Sequence, residues 1–92
     1  MKKKAKTSRY KIGGITYTIK YVDIIDDCKD TFGKIYYYKQ EINIKNDMTK
    51  EREEKTRIHE IVHAGSTEYG IGLDETQVEA METFLYEIGV RL

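Results

Sequence analysis

The chain has 92 residues, enough for one domain and not two. Its 16 basic and 16 acidic side chains cancel, which argues against a dedicated nucleic-acid binder, since such proteins carry a clear basic excess. Cys28 is the single cysteine, so an internal disulfide is excluded, and no stretch is long and apolar enough to span a membrane.

Residues 1–9, with Lys2, Lys3, Lys4, Lys6 and Arg9, read as a flexible basic tail. No apolar segment follows as in a signal peptide, because Tyr10 to Lys20 alternates polar and apolar residues, and a cytoplasmic location is expected. Residues 10–92 form a single domain on this reading. Tyr10-Lys11-Ile12 and Ile15-Thr16-Tyr17 flank Gly13-Gly14, the signal of a tight hairpin. Ile15, Tyr17, Ile19 and Tyr21 recur at every second position, as on the buried face of a strand. Asp23 to Lys34 is turn-like, and Ile35-Tyr36-Tyr37-Tyr38 reads as a strand of high β propensity. Alternation returns at Glu41-Ile42-Asn43-Ile44-Lys45, a third strand.

A long helix is expected from Thr49, a good N-cap followed by Glu51, Glu53 and Glu54 at the positive end of the helix dipole. Ile58, Ile61 and Val62 form its apolar face, and Gly65 is the expected C′ residue. After a loop carrying Gly70 and Gly72, Asp74 and Gln77 spell a capping box for a second helix. Val78, Met81, Leu85 and Ile88 are its expected core stripe, with Gly89 as terminator.

The first helix carries His59-Glu60-Ile61-Val62-His63, an H-E-x-x-H motif that holds both histidines of the chain. Helical residues four apart differ by about 40° around the axis and about 6 Å along it. Two imidazoles at that spacing can share one zinc ion at about 2.0–2.1 Å. Glu60 leaves the helix on a neighbouring face, suited to act as general base toward a water at the metal. Catalytic zinc sites take three protein ligands and keep one position open. The extended form with Gly at 66 and His at 69 is ruled out by Ser66 and Tyr69. The third ligand is therefore sought among Glu75, Glu79 and Glu82 on the second helix. Glu79 is favoured as an interior position beside Val78. Glu82 is its rival, and Glu75 is explained by the dipole of the first turn alone.

The order Gly33-Lys34-Ile35-Tyr36-Tyr37, Lys39-Gln40-Glu41-Ile42-Asn43-Ile44, His59-Glu60-Ile61-Val62-His63-Ala64, then Leu73-Asp74-Glu75-Thr76-Gln77-Val78-Glu79 and Leu85-Tyr86 resembles the small phage and prophage zinc metallopeptidases of the ImmA/IrrE-like, gluzincin-type group. The resemblance spans about Ile15 to Ile88. It implies His59 and His63 as zinc ligands, Glu60 as catalytic base and Glu79 as third ligand, with a cytosolic protein substrate such as a regulator in a mobile element. The expected fold is α+β, a minimal zincin-like domain: a small antiparallel sheet packed on the H-E-x-x-H helix and a second, C-terminal helix. Two other readings compete. One is a zinc-stabilised protein-interaction module without turnover. The other is a nucleic-acid-associated protein acting through the lysine-rich tail.

Overall fold

The computed structural model describes residues 7–92. The basic run through Lys6 lies outside them, while Ser8 and Arg9 already belong to the first strand. Four strands and two helices follow: β1 Ser8–Ile12, β2 Ile15–Val22, β3 Gly33–Tyr36, β4 Glu41–Lys45, α1 Lys50–Glu68 and α2 Glu75–Glu87. The fold is α+β.

The sheet is mixed, in the order β1-β2-β4-β3. This corrects the expected antiparallel sheet, because β2 and β4 run parallel in the centre while the two outer pairs are antiparallel. Hairpin signals in sequence mark neighbours across a tight turn, such as Gly13-Gly14 with φ of 61° and 83°. They say nothing of β3, which turns back to pair outside β4 and leaves β2 and β4 side by side. The tyrosine run also divides. Tyr36 ends β3, whereas Tyr37–Lys39 make a single 3-10 turn closed by Gln40 at φ 56°, and Tyr38 is 83% exposed.

Alternation places Tyr17, Ile19, Ile42 and Ile44 on one face of the sheet, where they are fully buried with Ile12 and Ala64 of α1. Tyr10, Ile15, Tyr21, Ile35, Met48 and Ile61 pack around them. Burying a side chain of this size contributes about 1.5–3 kcal/mol, so this central layer carries much of the fold. Helix α1 lies across the sheet, and α2 packs chiefly on α1. At the C-terminal end of α1 the Tyr17 hydroxyl donates to Glu68 Oε2 at 2.5 Å.

Both helix starts are as read from sequence. Thr49 accepts from Arg52 N at 3.2 Å, and the Asp74–Gln77 capping box is complete. The end of α1 is not at Gly65. Gly65 is accommodated inside the helix, and Gly70, at φ 67°, takes the left-handed position after the Tyr69 cap. The α2 stripe is also narrower than expected. Val78 is fully buried and Leu85 half-buried, but Met81 and Ile88 are 40% and 61% exposed. With α1 as its main neighbour, α2 is covered mainly along one flank.

Candidate metal centre

His59 and His63 stand one turn apart on α1, both half-buried. The loop after α1 then returns the chain beside them. Ile71 N donates to Ser66 O at 2.9 Å, and Leu73 N donates to the buried Ser66 hydroxyl at 2.8 Å. Asp74 then caps α2, so Glu75 enters the first helical turn in a fixed orientation.

That orientation brings Glu75 to both histidines. His63 Nε2 lies 2.9 Å from Glu75 Oε1, and His59 Nε2 lies 3.0 Å from Glu75 Oε2. A tetrahedral ion with donors at about 2.0–2.2 Å needs donor atoms roughly 3.3–3.5 Å apart. The carboxylate and imidazoles are thus within a few tenths of an ångström, roughly, of that spacing. Donor atoms of His59, His63 and Glu75 all lie within 4.8 Å of one another, a group able to hold a metal ion.

Glu82 lies on the other side of His59, with Oε1 2.8 Å from Nδ1. In the neutral tautomer protonated at Nδ1, His59 donates to Glu82 and its Nε2 lone pair faces Glu75. This is how an outer carboxylate orients a ligating imidazole and raises its basicity. Lys55 Nζ stands 4.0 Å from the other Glu82 oxygen, and the Glu82 side chain is only 14% exposed. Burial pulls the His59 pKa down, but the hydrogen bond its ring donates to Glu82 and the charges of Glu60, Glu75 and Glu82 outweigh it, and the net shift is upward.

Helical phase explains which glutamate goes where. His63 meets Glu75 and His59 meets Glu82, so the helices run antiparallel. Residues seven apart differ by only about 20° around the axis, so Glu75 and Glu82 form one line facing the histidines. Glu79 is turned away from that line by about 40–60°. It is exposed, stands outside the His59–His63–Glu75 group, and lines the cavity next to His59 and Glu60.

Glu60 is half-buried on the sheet-facing side. A β-carbon on Gly33, the first residue of edge strand β3, would lie 2.8 Å from Thr56 Cγ2 and 3.1 Å from Glu60 Cγ and Oε2. Glycine at 33 therefore lets the strand approach Glu60. Burial pushes the Glu60 carboxyl pKa up; His59 and His63 oppose this, and Glu75 and Glu82 add to it. Beside Glu60 opens a cavity of about 290 Å³, walled by Phe32, Gly33, Arg52, Thr56 and Glu79.

Tyr69 stands apart from this cluster: its hydroxyl accepts from Gly13 N at 3.1 Å and ties the β1–β2 turn to the end of α1. Cys28 is free and exposed in the loop before β3. The orienting position of Glu82 and the close approach at Gly33 were not read from the sequence. The seven-residue spacing of Glu75 and Glu82 was the available signal for the first. Nothing local signalled the second. Among the described residues no helix is long and apolar enough to cross a membrane. Compared with protein-family models, curated proteins and solved structures, the chain matches none of them.

Proposed function

We propose that this chain is a zinc-dependent endopeptidase of the cytoplasm, with a zincin-like site built from His59, His63, Glu75 and Glu60. The observation that carries the reading is the convergence of two imidazole Nε2 atoms on one carboxylate, with a second, partly buried carboxylate one residue along from His59. The donor set fits zinc: two neutral imidazoles and one carboxylate are the protein ligands of a His₂Glu hydrolytic site. Glu75 is preferred to Glu79 as third ligand because its oxygens already lie against both histidines.

When bound, zinc supplies Lewis-acid chemistry, polarising a carbonyl and lowering the pKa of water toward about 7. Glu60 takes the proton from the attacking water, and its raised pKa suits a group that must hold that proton briefly. The same carboxyl then delivers it to the leaving amine nitrogen. Glu82 keeps His59 in the tautomer that presents Nε2. Strand β3 lies at an edge of the sheet, and its outer backbone groups can hold an extended peptide by strand addition. The substrate would then be a protein segment lying across Gly33 toward the histidines.

A zinc-stabilised module without turnover would close the metal with a fourth protein ligand. Among the described residues the donor group has three members, which favours an open position. The test combines metal analysis with peptide hydrolysis. The wild-type protein should hold one zinc per chain and cleave unstructured protein substrates. Glu60→Gln should retain the zinc and lose about 10²–10⁴ in rate. Unchanged rates in that variant would remove Glu60 from the mechanism, and stoichiometric zinc in His63→Ala would remove the metal site.

A further inference from the structure

The cavity beside Glu60 holds one carboxylate, Glu79, that the hydrolytic chemistry does not use. Three of its lining residues are carboxylates, Glu60, Glu79 and Glu82, against one guanidinium, Arg52. Glu82 is held by His59 and Lys55. Glu60 is partly desolvated against Gly33 and Thr56. Arg52 lies over the Phe32 ring, 5.4 Å from its centroid. Glu79 is exposed at the cavity wall and, among the described residues, makes no hydrogen bond or ion pair.

The walls around it are mixed, with Phe32 and Gly33 beside the polar side chains of Arg52, Thr56 and His59. Phe32 offers a ring, and Gly33 has no side chain to fill the space. A volume of about 290 Å³ is at or below the small end of ligand pockets and suits one side chain. A lysine or arginine fits such a site in both its parts. Its methylene stem lies along Phe32 and Gly33, and its charged head reaches a carboxylate while staying partly hydrated. An aspartate or glutamate placed there would face three carboxylates against the one guanidinium of Arg52, which already lies over Phe32, and the net repulsion selects against acidic residues.

We propose that Glu79 is the specificity determinant of this site, pairing with a lysine or arginine side chain of the peptide substrate. The inference rests on the peptidase reading, and names the substrate class for the same cavity. A peptide held along the β3 edge places its side chains alternately on either face, so one residue at a fixed distance from the scissile bond enters the cavity.

The experiment measures binding, so that it does not depend on turnover. Zinc-loaded Glu60→Gln protein is titrated, by fluorescence anisotropy, into labelled decapeptides of one uncharged host sequence. A single Lys, Gln or Glu is placed at each position in turn. At one position Lys should bind about two- to fivefold tighter than Gln, the worth of one solvated ion pair, and Glu should bind weakest. Adding Glu79→Gln should erase the Lys preference while one zinc per chain is retained. Adding Glu79→Lys should move the preference to Glu at that same position. Charge-blind binding, no binding, a preference for acidic peptides, or a Lys preference that survives Glu79→Gln would each overturn the proposal. So would loss of zinc on Glu79→Gln, which would make Glu79 a metal ligand. Charge-selective binding without cleavage by the wild-type protein would defeat the peptidase reading and leave the recognition of basic residues standing.

Discussion

At the scale of single residues, the division of labour among Glu75, Glu79 and Glu82 is the sharpest claim. Glu75→Ala should release zinc, because its carboxylate is the group shared by both imidazoles. Glu82→Ala should weaken zinc about 10–100-fold without removing it, the usual cost of losing an outer partner of a ligating histidine. Competition with a calibrated chelator measures both; a larger loss in the Glu82 variant than in the Glu75 variant would exchange their roles. The pH dependence follows from His59. Its pKa is raised above the ordinary 6.5, and zinc must displace that proton, so zinc affinity should begin to fall, on acidification, above pH 6.5. In the metal-free protein the same shift contributes stability that is fully present below about 6.5 and is lost as pH rises through the folded pKa. Chelator competition from pH 5 to 8 checks the first point; a flat profile down to pH 6 would contradict it. The pairing of His59 with His63 was legible because the motif fixes it by spacing alone. Which glutamate lies against the two histidines was not, because three glutamates within eight residues differ only in helical phase, and phase is set by how α2 rolls on α1.

At the scale of elements, the starts of the helices are the most legible features and their far ends the least. Thr49 and Asp74 act through hydrogen bonds to residues three positions away, so the local sequence determines them. The end of α1 is decided by distant partners. Glu68 is held by Tyr17, and Ser66 by the returning loop, and these contacts carry the helix past Gly65. Asp74→Ala should cost about 0.5–2 kcal/mol through loss of the cap. It should also loosen zinc, since Glu75 is the next residue; urea unfolding with and without zinc separates the two effects. Gly33→Ala should cost about 1–3 kcal/mol as an overpacked contact, because the new methyl meets Thr56 and Glu60. Its effect on hydrolysis should exceed that of Ile35→Val in the same strand. Equal effects would mean that β3 does not approach Glu60 closely. The core stripe of α2 was read too wide because periodicity reports which residues are apolar, not how many flanks a neighbour covers. Met81 and Ile88 lie on the flank that α1 leaves open.

At the scale of the whole molecule, a chain this short buries a modest core, and a ligand bound only by the folded state adds to its stability by linkage. Zinc at about 1,000 times its dissociation constant should add about 4 kcal/mol. The thermal midpoint should therefore rise by more than about 10 °C over the protein in chelator, given about 4–8 °C per kcal/mol for a domain of this size. A shift under about 2 °C would count against a metal that joins α1 to α2. The α+β class and the strand positions were legible from alternation, but the parallel pairing of β2 with β4 was not. It depends on where β3 returns, a long-range choice no local pattern encodes. The central claim is the ligand set that joins the two helices. It is tested most directly by anomalous diffraction at the zinc edge from crystals of the zinc-loaded protein. One peak per chain is expected, about 2.0–2.2 Å from His59 Nε2, His63 Nε2 and a Glu75 oxygen, with no fourth protein ligand. No peak between the helices, or a peak bound by Glu79 or Glu82 in place of Glu75, would contradict it.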